Sequence, residues 1–557
     1  MIRTLKIYLT KELLKATLLA TIAFTLVMTI FAVIEPLYKE GVSPKQALKL
    51  FGYIAPVMFS MTLPIAALFG TTIVYGRFSR DNELMACRAS GISTVSVLTP
   101  AIWLGVVVSL TTFILGFYVA PKLLGASERM IKDLRQIAYN KLMRQQYIKF
   151  KYSDIYLIFH ADHVEPNSPW ADGVIILDYS DPNNAKCLVA SSAKLEFYKR
   201  SGKSIVEFYP TNPTVFQQNG ENIGIAEQIP FRRGELPTIK NKPKFYDWYK
   251  LYQTLKHPES DPSIATKITR ISREICSFRF YDEVARQIST HHKYTLTEIT
   301  EGKSSIPPAT ITIHANRTRI EKKGRICLLP AQPSSKPSSE NTTSDWKRNK
   351  ITITQMRNGK VECKIWASKA SIKASWDRFR NTMVAAVLLE DASILPAGES
   401  PENIRHQKNY ILGPFAIPKD IISASKDISA DTIEQLRATA PPKIREAIRS
   451  LFTKNIPILK RKVWAEIHQR LSYSISCLLM VMLGAVLGII FRGGEILTAF
   501  AISSLPSAAV IILILMGKQL MTNPKIPSMA YGATTIWAGI AALAAITIYL
   551  YAGPMRR

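Results

Sequence analysis

Long apolar runs occupy both ends of the chain, and a charged, alternating pattern fills the middle. A helix needs about 20 mostly apolar residues to cross a membrane. Six segments of the 557-residue chain reach that length: 13–36, 50–75, 95–120, 471–491, 496–517 and 528–551. The pattern therefore predicts an α-helical membrane protein with six transmembrane helices, three on each side of a large inserted region.

The inserted region, residues 126–455, has the pattern of a soluble, β-rich polypeptide. Short alternating or β-branched runs are separated by clusters of Pro, Gly, Asn and Asp, which is typical of a sandwich or barrel. These runs are 154–164, 173–179, 187–198, 204–216, 310–314, 351–355, 361–367 and 384–389. Residues 264–289 and 431–452 have helical periodicity instead, and the low-complexity stretch 331–345 indicates a flexible loop.

Composition narrows the classes of partner. The formal charge is +29, from 71 basic and 42 acidic residues. A basic balance of this kind indicates a binding partner that is negatively charged: nucleic acid, anionic lipid or an acidic ligand. The sequence has no zinc-finger spacing and no RRM-like aromatic signature, so nucleic acid is the poorer interpretation. The six cysteines form no CxxC pair, so we expect no metal site. Whether the middle region contains a disulfide stays open.

The distribution of basic residues predicts the orientation. They cluster before the first apolar segment, in the loop after the second and at the end of the chain, at Arg3, Lys6, Lys11, Lys15, Arg77, Arg80, Arg88, Arg556 and Arg557. Because cytoplasmic loops are enriched in Lys and Arg, this side is predicted to be cytoplasmic. A cluster at Lys460, Arg461, Lys462 and Arg470 opposes this, but the first helix usually sets topology. The middle region is then extracytoplasmic.

Sequence motifs for covalent chemistry are absent. A P-loop needs a glycine five residues before its Gly-Lys-Ser. The two Gly-Lys-Ser tripeptides, at 202–204 and 302–304, have Phe197 and Thr297 at that position. No GxSxG or HExxH pattern occurs either. We therefore expect no catalytic residue and no cofactor bound by this chain.

The most informative segment is Tyr75–Ser93, YGRFSRDNELMACRASGIS, directly after the second apolar segment. Ser79 or Asp81 is expected to cap a short helix, because their oxygens accept bonds from free backbone N–H groups. Gly91 is the expected C-terminal stop. By helical spacing, one side of the helix holds Leu84, Cys87 and Arg88, and the surface displays Arg80, Asp81 and Glu83. On residues alone, a solvated interfacial loop and a site for a partner are equally good interpretations.

This segment closely resembles the coupling region of the LptF/LptG family of lipopolysaccharide-export permeases. That region has an arginine, Leu or Phe, Ser-Arg-Asp, a glutamate, then Ala-Ser/Ala-Gly-hydrophobic-Ser. The matching residues here are Arg77–Asp81, Glu83–Leu84 and Ala89–Ser93. Prolines 56, 64, 100 and 121 and the run 465–471 are also similar to the family. Many members have prolines where Ser474 and Val486 stand here, which leaves the shape of the fourth helix open.

The resemblance implies a fold, a function and partners. The fold is six transmembrane helices with an extracytoplasmic β-jellyroll-like domain, in the cell inner membrane, with the large domain in the periplasm. The function is to extract lipopolysaccharide, or a similar anionic glycolipid, and pass it to a periplasmic bridge towards the outer membrane. The implied partners are a cytoplasmic LptB-like ABC ATPase dimer, a second LptF/LptG-type permease, a single-span LptC-like subunit, an LptA-like bridge and lipopolysaccharide. The expected domains are 1–125, 126–455 with an insertion at about 235–400, and 456–557.

Candidate site residues follow from the same resemblance. An ATPase-coupling helix is expected at about 77–92, with Arg77, Arg80, Asp81, Glu83, Arg88 and Gly91. Lipid headgroup contacts are expected at Lys39, Lys45 and Arg470, although Arg470 also lies four residues after Glu466 and can pair with it. Gly484 and Gly488 form a GxxxG pattern, for which helix packing is favoured over a role in opening.

Two other functions stay open on the sequence. One is a permease for another lipid or lipoprotein, and the other is a non-transporting membrane scaffold that presents a β-domain. The sequence also leaves open whether the chain is LptF-like or LptG-like, whether it forms a homo- or heterodimer, and what the insertion does.

Overall fold

The computed structural model describes residues 2–40, 44–131, 148–152, 155–164, 170–178, 186–200, 203–211, 214–217, 222–225, 231–235, 242–299, 307–321, 325–330, 350–377, 382–399, 403–426, 430–435, 440–491 and 496–552. The chain divides into two compact units, one of Met1–Pro258 with Ile458–Arg557 and one of Glu259–Pro457. The predicted loop at 331–345 lies outside the described residues.

Among the described residues, six helices are long and apolar enough to cross a membrane, as the sequence predicts. We call them spans one to six: Arg3–Ile34, Ala47–Arg80, Thr94–Met130, Pro442–Ile490, Phe500–Thr522 and Ala530–Ala552. Spans one and two are formed by α1 (Ile2–Glu40) and α2 (Pro44–Arg80). Span three is formed by α4 (Thr94–Ile114), a π-helical turn (Leu115–Val119) and α5 (Ala120–Ile131), and the short α3 (Glu83–Ala89) lies between spans two and three. A further helix, α6, covers Trp248–Lys256 after a 3-10 turn at Pro243–Phe245.

Several apolar cores hold the spans together, and two of them are the largest. One joins spans one to four through buried side chains such as Leu13, Val97 and Val481. The other joins spans two, four, five and six and includes Leu68 and Ile536. Each span therefore buries one face against its neighbours and leaves the rest of its apolar surface exposed.

The first unit also contains an eight-stranded antiparallel sheet. Its strands are β1 (Ile148–Tyr152), β2 (Ile155–Val164), β3 (Trp170–Asp178), β4 (Lys186–Arg200), β5 (Lys203–Thr211), β6 (Thr214–Gln217), β7 (Asn222–Ile225) and β8 (Phe231–Glu235). The strand order is β1-β2-β3-β4-β5-β8, and β6 pairs with β4 and β7. Alternation fixes the register: buried Phe159 pairs with Ile176, and buried Ala161 with Val174.

The second unit is a nine-stranded antiparallel sheet with helices. It begins with α7 (Pro262–His291) and has the strands β9 (Lys293–Thr297), β10 (Thr310–His314), β11 (Arg317–Glu321), β12 (Arg325–Leu329), β13 (Ile351–Arg357), β14 (Lys360–Ala367), β15 (Lys369–Asp377), β16 (Thr382–Pro396) and β17 (Arg405–Ala416). Helix α7 packs Phe280 and Ile288 into one core with Ile313 and Ile353, which face each other across β10 and β13.

The chain leaves the second unit through short helices. They are α8 (Lys419–Lys426), α9 (Ala430–Gln435), α10 (Pro442–Ser450) and a π-helical turn (Leu451–Asn455), and α11 (Ile456–Ile490), α12 (Ile496–Thr522) and α13 (Ala530–Ala552) complete the spans. The helix predicted at 264–289 is confirmed as α7. The one predicted at 431–452 is instead two helices, because Pro441 and Pro442 interrupt it and proline starts a helix better than it continues one. The predicted strands are antiparallel but form two sheets.

Candidate functional site

The segment between spans two and three forms the short helix α3, but neither residue expected to cap it does so. Asn82 stands at the N-cap with φ of 59°, and its side chain makes no capping bond. The Ser79 hydroxyl instead donates a 3.0 Å bond to the carbonyl oxygen of Ile489 in span four. Asp81 pairs with Arg80 at 3.4 Å. The capping prediction is therefore wrong, because the Ser79 hydroxyl is used between spans and Asp81 bonds a side chain.

Gly91 ends the helix as expected. Its φ is +76°, a conformation that residues with a Cβ rarely adopt. The Gly91 N–H bonds to the Arg88 carbonyl and the Ile92 N–H to the Cys87 carbonyl, both at 3.0 Å. These two bonds are the paired closure that satisfies the last carbonyls of a helix. A Cβ on Gly91 would meet nothing within 4 Å, so backbone conformation alone selects glycine.

Helix α3 is attached to the spans through Leu84. Leu84 is 1% exposed and belongs to a core with Leu9, Leu98 and Ile489, from spans one, three and four. At this end of the bundle, the Tyr75 hydroxyl donates to the Val97 carbonyl at 2.9 Å and joins spans two and three. A force applied to α3 would therefore reach four spans through packed side chains.

The opposite face of α3 is open. Its exposed residues are Asn82, Glu83, Met85, Ala86, Ala89 and Ser90. Cys87 is half-buried, and burial, followed by the nearby Glu83 carboxylate, raises the pKa of its thiol. Met85 is 46% exposed and is a candidate contact that the sequence reasoning missed. The sequence did contain a signal for this: Met85 follows Leu84 directly, so helical spacing turns it away from the buried side.

Residues predicted at about 77–92 divide between two elements. Arg77 and Arg80 lie in the last turn of α2, and Arg77 donates to the Glu12 carboxylate in span one at 3.1 Å. Glu83 and Arg88 belong to α3 itself. Arg77 therefore joins spans one and two, and Arg80, Asp81 and Glu83 are the charged residues exposed at the helix start.

Spans two to five surround a mostly apolar cavity of about 300 Å³. Its charged end contains Glu466, Arg470 and Lys518. The Lys518 ammonium lies 2.6 Å from one oxygen of the Glu466 carboxylate, and the Arg470 guanidinium lies 3.6 Å from the other. Lys518 also bonds the Gln469 side chain at 2.5 Å. Apolar walls with charges at one end can accommodate an amphipathic molecule.

Arg470 also bonds backbone carbonyls far away in sequence. Its guanidinium donates to the Tyr246 carbonyl at 2.8 Å and to the Lys244 carbonyl at 3.0 Å. Its side chain is 10% exposed, like that of Glu466. The i, i+4 pairing with Glu466 is thus present, together with two carbonyl partners that the sequence pattern did not reveal.

The family model of the lipopolysaccharide export system permease LptF/LptG matches residues 7–245 and 339–552. The chain belongs to this family. No curated protein matches the chain. LptF/LptG permeases are the transmembrane subunits of the export system, and its ATPase is a separate chain, LptB. The protein is therefore a multi-pass membrane permease of lipopolysaccharide export.

In this LptF/LptG permease, Gly484 and Gly488 lie against span two. A Cβ on Gly484 would be 2.5 Å from Thr71 Oγ1, and one on Gly488 would be 2.8 Å from the Thr72 carbonyl oxygen. Real Cβ atoms do not approach that closely, so only glycine permits this helix separation. Lys39 and Lys45, predicted to contact lipid headgroups, have side chains outside the described part of this permease.

None of the six cysteines of the permease, all of which the structure describes, forms a disulfide bond. Among the residues that the structure describes, no group of three or more His, Cys, Asp or Glu side chains could hold a metal ion.

Proposed function

We propose that α3 is the site where the LptB-like ATPase dimer docks and drives this permease. The observation that carries the proposal is the seating of Leu84 in a core built from four spans, with the opposite face of the helix open. A docking element needs both properties, because the open face binds the partner and the buried face transmits its movement.

The chemistry of the open face fits a protein partner. Glu83 offers a carboxylate at the helix start, and Met85 adds an exposed thioether that adapts to irregular surfaces. Charge-assisted hydrogen bonds become strong when a partner removes water from them. The proposed contact therefore pairs Glu83 with cationic donors of the ATPase, around an apolar centre at Met85.

The same proposal assigns a direction to transport. Family membership and the positive charges near α3 support a cytoplasmic location for α3 and a periplasmic location for the sheets. Lipopolysaccharide would be extracted from the inner membrane and passed to a periplasmic bridge, with a second LptF/LptG-type permease and an LptC-like subunit as partners. The cavity with Glu466, Arg470 and Lys518 supports contact with a lipid, whose chains fit apolar walls and whose headgroup fits the charged end.

A charge reversal at α3 tests the docking site. Glu83→Lys should insert and fold normally but fail to retain the ATPase, because it places a cation beside Arg80 and faces the proposed donors with like charge. The matched control is Glu399→Lys, the same reversal at an exposed position of the second unit. ATPase co-purified at equal membrane abundance is the measurement. Full retention by Glu83→Lys would remove α3 from the docking surface.

Thiol labelling tests the orientation. An impermeant maleimide added to intact spheroplasts should label Asn358→Cys, in the exposed turn of β13 and β14, above the level of the parent chain. Ser90→Cys, exposed beside α3, should react only after the membrane is opened. The reverse pattern would invert the orientation and exclude the proposed direction of transport.

A further inference from the structure

Helix α6 lies outside the residues matched by the family model, which stop at 245 and resume at 339. It begins at Trp248, capped by the Asp247 side chain, which accepts from the Lys250 N–H at 3.0 Å. Leu251 and Thr254 form its buried face. Any role of α6 therefore has to be derived from its own contacts.

Helix α6 is held at a defined height on the spans. The Trp248 ring packs edge-to-face on Phe117 of span three, with 5.2 Å between ring centroids. Lys122 lies 3.9 Å from the Asp247 carboxylate, and Arg470 bonds the Tyr246 carbonyl. All three contacts are made where the apolar run of a span meets its first charged residues.

That height corresponds to the edge of a bilayer. From Thr94 to Phe117 a helix rises by roughly 35 Å, and the hydrocarbon core of a bilayer is about 30 Å thick. Helix α3 precedes Thr94, so α6 lies at the opposite boundary of the membrane from α3. An exposed apolar stripe on span three leads to α6, formed by Trp103, Val107, Leu110, Ile114 and Tyr118.

The exposed face of α6 has the composition of a membrane interface. Trp248, Tyr249 and Tyr252 are 42%, 66% and 51% exposed and lie on one side of the helix by their spacing. Such aromatic residues with one polar atom are enriched at headgroup level. Lys256 lies one turn after Tyr252 on this face, and its ammonium lies 5.4 Å from the centre of the Tyr252 ring. Lys250 lies on another side of the helix, with its ammonium 4.5 Å from the centre of the buried Tyr246 ring.

We propose that α6 is an interfacial helix whose aromatic face, Trp248, Tyr249 and Tyr252, rests in the bilayer at headgroup level, with Lys256 on anionic lipid phosphates. The lipid surface is the favoured occupant because the exposed stripe of span three ends at Tyr118, next to the Phe117 that Trp248 contacts, and because Lys256 complements anionic headgroups. The helix thereby holds the segment after Phe245 at the membrane surface.

Fluorescence quenching in the full chain tests this. An environment-sensitive fluorescent amino acid is introduced at Tyr252 by stop-codon suppression, which leaves the native cysteines in place. The chain is reconstituted in nanodiscs of phosphatidylethanolamine and phosphatidylglycerol, with or without lipid brominated near the glycerol end of its chains. We expect strong quenching by brominated lipid and severalfold weaker quenching by aqueous iodide than at a water-exposed position.

Two positions calibrate the measurement. Leu110, on the exposed stripe of span three, should respond to brominated lipid, and Val361, on an exposed part of β14, should respond to iodide alone. A Tyr252 probe that behaves like the Val361 probe would place α6 in water and overturn the proposal. Shielding from both quenchers would mean that protein covers the face, and this also overturns it. Replacing phosphatidylglycerol by phosphatidylcholine should weaken the lipid quenching at Tyr252 and leave that at Leu110 unchanged.

Discussion

The Ser79 hydroxyl and the Ile489 carbonyl join the ends of spans two and four by a 3.0 Å hydrogen bond, although 410 positions separate them in sequence. Ser79 is 1% exposed, so water does not replace the bond when it is lost. The bond lies directly beside α3. It therefore ties together the two spans that support the proposed docking helix.

Ser79→Ala should lower the stability of the purified chain by about 1 kcal/mol, the net value of a typical buried hydrogen bond. The check is thermal or denaturant unfolding in detergent. Ser90→Ala is the control, because the Ser90 hydroxyl is exposed and bonds only within its own helix, to the Ala86 carbonyl at 2.9 Å. Equal stability of the two variants would contradict the prediction.

The close packing of Gly484 and Gly488 of span four against span two can be tested by comparing alanine substitutions with one at a glycine that has no close contacts. Gly484→Ala and Gly488→Ala should each destabilise by about 1–3 kcal/mol, because their Cβ atoms would overlap backbone or hydroxyl groups of span two. Gly52→Ala, also within a helix but with nothing within 4 Å of its Cβ, should be neutral or stabilise by up to about 1 kcal/mol. Unfolding midpoints of the three variants decide this, and a similar response at all three would show that packing is not the cause.

The pair of Glu466 and Lys518 should be strongly coupled. Their side chains are 10% and 27% exposed and 2.6 Å apart, and removal of one charge leaves the other poorly solvated. A double-mutant cycle with Glu466→Gln and Lys518→Met should give a coupling energy above about 1 kcal/mol. The exposed pair of Lys369 and Glu390, 3.4 Å apart, should give less than that. Equal couplings would mean that the cavity is well hydrated.

Cys327 in the second unit should be a poor nucleophile. Burial, followed by the neighbouring Glu321 carboxylate, raises the pKa of its thiol to about 11. Since the thiolate is the reactive form, its fraction at pH 8 is about 100-fold lower than for an ordinary cysteine. Alkylation measured by mass spectrometry should therefore accelerate up to about pH 11 and be faster in Glu321→Gln. A rate that levels off near pH 9 would contradict the raised pKa.

The length of apolar runs was enough to predict the six spans, because crossing a membrane imposes a minimum number of apolar residues. Alternation predicted strands less completely: each predicted run overlaps a strand, but others such as β15 and β17 lie outside the predicted runs. Alternation also does not identify the pairing partners of a strand. Strands 187–198 and 384–389 carry the same kind of pattern, yet they belong to different sheets. Pairing depends on contacts between distant parts of the chain, and a local pattern does not encode them.

In the candidate site too, features set by the local sequence could be predicted, whereas features set by tertiary contacts could not. Gly91 could be predicted as a helix stop because its role depends on its own φ angle. The role of Ser79 could not, because its oxygen could accept a bond from a local backbone N–H or its hydroxyl could donate to a distant carbonyl, and the bond it makes is the distant one. Arg470 is similar: its pairing with Glu466 follows from helical spacing, whereas its bonds to the carbonyls of residues 244 and 246 depend on the tertiary fold.

The nine-stranded sheet has the strand order β11-β12-β15-β16-β14-β13-β10-β9. This order shows how the residues that the family model skips are built into the sheet. Strands β13–β17 lie in the part of the chain that the family model matches, and β9–β12 lie in the part that it skips. The unmatched strands thus cover both margins of the sheet, two beside β15 and two beside β13. The unmatched segment therefore shares one sheet with the matched strands and does not form a separate module. Deletion of this segment would remove the outer strands on both sides of the sheet. The unpaired N–H and C=O groups of β15 and β13 would then be exposed, which favours aggregation.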